Sequence, residues 1–375
     1  MTEEGYENVT YDVKPRLESV RIRRLRSQRG ERETLSYQRP TMLDVAALAG
    51  VGLTTVSRVV NGKPGVSQAT SGRVRAAIEQ LDYRHDVHAS NLRRSDRKTA
   101  TIGLVLEDVA NPFMSALHRA VEDSARARGM LVFAGSCDED ASREREFISA
   151  LRARRVDGII VVPAAPDHSY LLPELRVGTA IVFVDRPPRF LDADSVTSDD
   201  HGGTFTAVSH LVERGHVRIA YLGADLAIAT AEERLRGYTD GLTAHGLDFE
   251  SAIVRTGLRS VEDAERGVAA IFADGTAPTA LLSAQNYFTI GAYKALRTRD
   301  LWGRVAVVGF DDFPLAEMLD PPVTVVAHDP VELGLTAAQL LLRRLDGDRS
   351  ASEHIVCPVQ LVPRGSGEIE PAAAR

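Results

Sequence analysis

T-T-V-S-R-V-V-N-G, residues 54–62, is the stretch on which the reading of this chain turns. At 100° per residue, Val56, Val59 and Val60 share one side, the i, i+3, i+4 pattern of a packed helical face. Thr54, Ser57, Arg58 and Asn61 share the other, with Leu53 at its edge. A short helix that gathers hydroxyl, amide and guanidinium groups into one stripe is suited to reading base edges and gripping phosphates. Just upstream, residues 44–49 carry Val45, Leu48 and Ala49 at helical spacing, and Gly50-Val51-Gly52 then breaks the pattern. Gly50 stands where a tight turn needs positive φ. Downstream, a helix is predicted over 68–81, with Val74, Ala77, Ile78 and Leu81 inward and Ser67 as its N-cap. Helix, three-residue turn, helix and a third helix make a DNA-binding headpiece, although an unrelated three-helix bundle satisfies the same spacing.

Charge is distributed as polyanion binding at one end requires. The 375 residues carry a formal charge of −7, yet residues 1–98 hold 18 Lys/Arg against 12 Asp/Glu, and residues 99–375 hold 27 against 40. Between residues 14 and 39 there are nine Lys/Arg, three Asp/Glu and almost no apolar periodicity, so residues 1–40 read as a disordered basic extension. It either adds phosphate contacts or is merely solvated. Two cysteines, Cys137 and Cys357, fit a reducing compartment and no disulfide framework. No apolar run approaches a membrane span, and the start of the chain lacks the apolar core of a secretory signal. The expectation from these features is a cytoplasmic protein with no membrane partner.

From residue 99 the periodicity changes. T-I-G-L-V-L, M-L-V-F-A, D-G-I-I-V-V and A-I-V-F-V-D are short runs rich in β-branched residues, with helical patterns over 113–128 and 142–154 between the first three. A second series after residue 198 alternates helices over 201–214, 231–246, 261–274 and 288–298 with the strands R-I-A-Y-L-G, T-A-L-L-S and V-A-V-V-G-F. Such alternation predicts parallel sheets with helices on both faces. Two successive series predict two lobes and a cleft. The chain returns through V-T-V-V-A, a helix over 331–345 and one final strand, H-I-V-C-P-V-Q-L-V.

T-M-L-D-V-A-A-L-A-G-V-G-L-T-T-V-S-R-V-V-N-G, from residue 41, resembles the headpiece of the LacI/GalR family of bacterial transcription regulators. The likeness extends over 41–366 through V-A-N-P-F (109–113), V-D-G-I-I (156–160), V-D-R-P (184–187), E-R-G-H-V-R-I-A-Y-L-G (213–223), R-L-R-G-Y (234–238), V-V-G-F-D-D (307–312) and L-V-P-R-G-S (361–366). It implies an all-α helix-turn-helix headpiece (41–83), a hinge helix or linker (84–98) and an α/β two-lobed, periplasmic-binding-protein-like effector domain (99–366). In that domain lobe 1 spans about 99–197 plus 328–366 and lobe 2 about 198–327, with 367–375 as a disordered tail. In the family, hinge helices from two subunits wedge a leucine into the minor groove, and Leu92 takes that position. His85 and Asp86 stand where Pro-Asn is common, and Ser90 where Arg is common.

The DNA-binding residues are assigned as Leu53 and Thr54 to base contact and Arg58 to a base edge, guanine above all. Thr55, Ser57, Asn61, Ser67 and Thr70 are assigned to phosphates, and Thr41, Ala89 and Leu92 complete the set. Gly52 stands where relatives often have a serine cap, at a cost of a few tenths of a kcal/mol. In open α/β sheets ligands bind at the carboxyl ends of strands, where Asp108, Asn111, Asp185, Arg186 and Asp311 fall. Arg234 opens the helix after R-I-A-Y-L-G. Carboxylates that accept and guanidiniums that donate suit a polyhydroxyl ligand. By the resemblance Arg234 and Asp311 hold effector hydroxyls, and Asn111, Phe113, Arg186 and Gln285 line the same cleft. The stretch 257–263, G-L-R-S-V-E-D, lacks the aromatic residue that relatives stack on a ring, and its Arg259 hints at an acidic ligand.

Phosphate-binding, zinc-protease and serine-hydrolase motifs are all missing, and the ten histidines show no metal spacing. His201, His210 and His216 read as surface residues round one helix. No catalytic residue, metal or cofactor is expected. The sequence therefore predicts a homodimeric regulator, expected to repress, that binds a palindromic double-stranded operator under control of a sugar-like small-molecule effector. A solute-binding protein and a sugar- or nucleoside-processing enzyme share the two-lobed body and stand as alternatives.

Overall fold

The computed structural model describes residues 40–83, 98–249, 252–273 and 277–372. The extension before Pro40, residues 84–97 of the predicted hinge with Ala89 and Leu92, and the last three residues lie outside these ranges. The chain forms two compact units that divide after Arg97.

The first unit is three helices, α1 (Met42–Ala49), α2 (Leu53–Val60) and α3 (Gln68–Gln80). Thr41 and Asp44 close a reciprocal capping box at the start of α1, and Gly50 ends it in the left-handed region at φ 63°. The α1 and α2 axes then cross at 106°, within the range of a helix-turn-helix. Val45, Val56 and Val74 are fully buried at the centre, with Ala46, Ala49 and Ala77 around them. Leu48, which the spacing puts inward, stands 45% exposed, and the smaller Ala46 takes the buried position.

The second unit holds two six-stranded sheets. In the first lobe β1 (Thr101–Leu106), β2 (Leu131–Ser136), β3 (Gly158–Val161), β4 (Ala180–Asp185), β5 (Asp194–Ser198) and β11 (His354–Cys357) lie in the order β11-β5-β4-β3-β1-β2, all parallel. In the second, β6 (Ile219–Leu222), β7 (Ile253–Arg255), β8 (Ala280–Ser283), β9 (Ala306–Phe310), β10 (Thr324–Ala327) and β12 (Gln360–Val362) run β12-β10-β9-β8-β6-β7, with β12 alone antiparallel. Every residue of β1, β4 and β9 is buried, the pattern of strands covered on both faces. Helices α4 (Pro112–Ala127), α5 (Ala141–Ala153), α6 (Leu172–Arg176) and α11 (Pro330–Leu345) cover the first sheet. Helices α7 (Asp200–Glu213), α8 (Ala229–Ala244), α9 (Val261–Ile271) and α10 (Asn286–Thr298) cover the second. Among the described residues no single helix is long and apolar enough to cross a membrane.

Three departures from the sequence reading have local causes. The run H-I-V-C-P-V-Q-L-V is two strands, because Pro358 has no N–H to continue the β11 ladder. The chain crosses there, so β12 and the residues after it belong to the second lobe, and the boundary of lobe 1 at 366 is corrected to the end of β11. Residues 367–372, expected to be disordered, are described: Gly367 is buried, Glu368 accepts from Thr324 Oγ1 (2.7 Å) and His210 Nε2 (2.7 Å), and Ile369 packs on the second-lobe core. His210 and His216 are accordingly buried rather than superficial, His216 lying between Thr279 Oγ1 and the Ile369 carbonyl. The third departure is β5, D-S-V-T-S, too polar to read as a buried strand. Its polar groups are matched: Asp194 accepts from Nε and Nη2 of Arg344 on α11 (2.8 Å each), and Ser195 pairs with His354 on β11.

Helices α7 and α8 touch backbone to backbone. A Cβ on Gly237 of α8 would stand 2.3 Å from the carbonyl oxygen of His201. Gly237→Ala is expected to force the pair apart at a cost of about 1–3 kcal/mol, read as a lower denaturation midpoint at unchanged slope. Because Arg234 sits one turn earlier on the same helix, the ligand response should weaken with it.

Candidate functional site

On the headpiece, the sequence-predicted stripe is solvent-facing. Leu53 is 42% exposed, Thr54 and Arg58 are exposed, and Thr55 and Ser57 are half-buried. Gly52 precedes the helix with no side-chain cap, which leaves the first N–H groups of α2 to outside acceptors. The Arg58 guanidinium lies over Gly65 in the α2–α3 loop, where a Cβ would sit 3.4 Å from Nη1. Some candidates are occupied internally. Asn61 Nδ2 donates to the Ser57 carbonyl (2.7 Å), Ser67 caps α3 through Thr70, and Thr41 is held by Asp44 (2.7 Å). Asn61 is therefore a helix cap first, and its amide reaches an outside phosphate only through its second N–H, which now lies 3.3 Å from Ser57 Oγ.

The second unit brings all seven predicted cleft residues into one pocket, with an enclosed space of about 30 Å³. Asn111, Phe113, Asp185 and Arg186 come from the first lobe, and Arg234, Gln285 and Asp311 from the second. Asp185 and Asp311 both sit just at a strand's carboxyl end with φ near +70° (71° and 67°), a turn that throws the side chain into the cleft. Four further lining residues escaped the sequence reading: Glu107, Met114, Thr230 and His328. Glu107 and His328 follow β1 and β10 directly, so the strand-end rule that picked Asp108 and Asp311 could have found them. Arg259 does not line the pocket; it is exposed and lies 3.9 Å from Asp225, so its hint of an acidic ligand falls away.

Two buried ion-pair networks frame the pocket. Arg234 donates from Nε to Asp200 (2.6 Å) and from Nη1 to the Ala284 carbonyl (2.6 Å), and lies 3.5 Å from Asp311 and 3.9 Å above the Phe310 ring. Arg186 forks onto Glu139 (2.8 and 2.5 Å) and donates to the Pro163 carbonyl (3.0 Å), with Glu107 at 3.5 Å and Asp185 at 3.4 Å. His328 bridges Ser198 and Asp311 (2.8 Å each) where two of the lobe crossovers meet, and stacks on Phe113 at 4.2 Å. Two hydrogen bonds join the lobes over the pocket, Asn286 Nδ2 to Asn111 Oδ1 (2.9 Å) and Tyr287 OH to Asp108 (3.2 Å).

Burial pushes the Asp200 carboxyl up to about 6 against the pull of Arg234, and raises Asp185 against Arg186. Burial acts on Asp311 in the same direction, but Arg234 and the His328 hydrogen bond outweigh it and leave it below the usual range. Glu107 is pushed furthest, from 4.5 to about 8, by burial and by its neighbours Glu139, Asp185 and Asp311, with Arg186 opposing. An acid whose proton is held more tightly in the folded state stabilises fully below its unfolded value and loses that contribution as pH rises through the folded one. The melting temperature of the second unit is therefore expected to fall across roughly pH 5 to 8, and Glu107→Gln to flatten that fall. An unaltered slope in the variant would assign it to other groups.

Comparison with known proteins agrees with this layout. Residues 41–86 match the model for bacterial regulatory proteins of the lacI family, and residues 208–367 that of a periplasmic binding protein-like domain. The chain is 31% identical to the HTH-type transcriptional regulator DegA of Bacillus subtilis (strain 168) over 333 residues, 87% of this chain and 97% of DegA. It is also 31% identical to the regulator GalR of Escherichia coli (strain K12), over 82% of this chain and 89% of GalR. The lac repressor dimer bound to operator and the anti-inducer ONPF has a TM-score of 0.76 at 28% identity, covering 88% of this chain and 99% of that one. A CelR–cellobiose complex scores 0.65 at 29% identity, covering 88% and 100%. With a relative matched along nearly its whole length, this chain belongs to the lacI family of bacterial regulatory proteins and is a helix-turn-helix DNA-binding transcriptional regulator.

Proposed function

We propose that the protein represses transcription as a homodimer on a palindromic operator and is released from it or fixed to it by a small polyhydroxyl effector in the cleft. The observation that carries this reading is the pairing, in one chain, of an exposed recognition stripe on α2 with a buried, charged pocket between two lobes. Leu53 has no polar side-chain atom and Thr54 a single hydroxyl, so neither makes a bidentate pair and both suit a thymine methyl; Arg58 suits guanine O6 and N7. Thr55, Ser57, Ser67 and Thr70 fix the register on phosphates, with Thr41 at the α1 cap and with Ala89 and Leu92 in the hinge segment. In the cleft, Arg234 and Asp311 hold ligand hydroxyls, Gln285 and Asn111 add amide contacts, and Phe113 supplies an apolar wall. The enclosed space of about 30 Å³ is far below the roughly 300–1,000 Å³ of ligand pockets, so a sugar-sized ligand is taken only as the lobes part.

The protein acts where the chromosome is, binds its effector without chemical change, and couples the two sites reciprocally: operator must alter effector affinity by the factor by which effector alters operator affinity. Footprinting of purified protein on fragments of its own genome tests the reading. The expected result is protection of a two-fold symmetric sequence, changed in affinity by one small sugar or polyol. Binding of all fragments alike, with no effector response, would remove it.

A further inference from the structure

We propose that the cleft selects a cationic polyol, a small polyhydroxylated amine of the amino-sugar class, with its ammonium group between Glu107 and Asp185. The inference deepens the effector reading above and rests on it. It starts from how the two arginines are shared. Each is claimed at short range by a carboxylate that does not line the cavity: Glu139 takes Arg186 at 2.5 and 2.8 Å, and Asp200 takes Arg234 at 2.6 Å. The carboxylates that do face the cavity are left with the remainder. Glu107 and Asp185 stand 3.5 and 3.4 Å from Arg186, beyond a good charge-assisted hydrogen bond, and Asp311 reaches Arg234 only at 3.5 Å while taking His328 at 2.8 Å.

Five carboxylates thus surround two guanidiniums in a site whose carboxylates at 107, 185, 200 and 311 are all nearly buried. A neutral sugar leaves that imbalance in place, and an anion worsens it. An ammonium group takes the place of the proton that Glu107 gives up and donates three hydrogen bonds to acceptors now poorly matched. The pocket also asks for an acceptor, because buried Arg186 Nε has Asp185 only at 3.4 Å and makes no hydrogen bond among the described residues, a place for a ligand hydroxyl oxygen. Among the described residues no group of three or more His, Cys, Asp or Glu is arranged to hold a metal ion, so an organic cation is the fitting partner. Glu107, held protonated to about 8, is the group that would give up its proton when the cation arrives.

The test is a set of matched pairs titrated into the full-length protein at pH 7 by calorimetry: D-glucosamine against D-glucose, D-galactosamine against D-galactose, D-mannosamine against D-mannose, with D-gluconate and glucose 6-phosphate as anions. The expected result is that the amine binds at least about tenfold tighter in the best pair, with release of up to about one proton across buffers of different ionisation enthalpy. Glu107→Gln should lose both the preference and the proton release while keeping a cooperative thermal transition. A neutral or anionic member that binds as tightly or tighter, an amine preference that survives Glu107→Gln, or no binding by any amine overturns the proposal. Operator release by a neutral sugar alone would leave the sugar-sensing reading standing and remove only this one.

Discussion

Arg234→Ala is expected to lower the stability of the effector domain by about 3–5 kcal/mol, because it strips a buried guanidinium from Asp200, which is left without its cation, and from Asp311, which keeps only His328 at 2.8 Å. The uncompensated buried charge, not the lost ligand contact, dominates. For a unit of this size each kcal/mol moves the melting temperature by about 2–4 °C, so a fall of roughly 10 °C should be visible in a thermal melt. The double variant Arg234→Met with Asp200→Asn should recover much of it, since removing both charges leaves less uncompensated than removing one. A melt unchanged in Arg234→Ala would mean that the network carries no stability, and that Arg234 serves the ligand alone. The headpiece is a separate compact unit, so its own core should survive the substitution.

Arg58→Ala is expected to weaken operator binding by roughly 1–3 kcal/mol and to relax sequence preference at one base pair of each half-site. Its side chain is exposed on α2 and laid over Gly65, which limits its rotamers before DNA arrives. A side chain already restrained loses less entropy on contact. Selection of bound sequences from a random pool distinguishes base reading from phosphate contact. Relaxed preference at one position assigns Arg58 to a base; uniform weakening with a shallower salt dependence assigns it to the backbone. The same substitution should leave effector affinity measured without DNA untouched.

Much of this arrangement is legible in the amino-acid sequence. The valine side of α2 and the Gly50 turn are local features, set by 3.6-residue periodicity and by one left-handed residue, and they appear where the spacing puts them. The cleft residues are legible because parallel sheets present their carboxyl ends to ligands, so Asp185 and Asp311 can be picked out by position alone. What stays hidden depends on distant partners. β5 has no apolar run to mark it, and its burial is understood only once Arg344 and His354 are seen to satisfy its Asp194 and Ser195. The crossing at Pro358 is invisible because β11 and β12 are both apolar and nearly adjacent, and only their different sheets tell them apart. Glu139 and Asp200 show why an inventory of strand-end residues is incomplete. Neither faces the cavity, yet they decide how much charge Arg186 and Arg234 have left for a ligand.

The pair of hydrogen bonds that joins Asn286 to Asn111 and Tyr287 to Asp108 has a kinetic consequence. With these bonds and the Arg189–Glu232 pair (3.2 Å) made, the lobes close over a space too tight for a sugar ring to pass, so a ligand enters or leaves only when such contacts break and the crossovers flex. Lobe motions of this kind run on microsecond to millisecond timescales. The observed association rate should therefore level off with rising effector concentration at the rate of lobe opening, and Tyr287→Phe should lift that ceiling while leaving the pocket's own contacts in place.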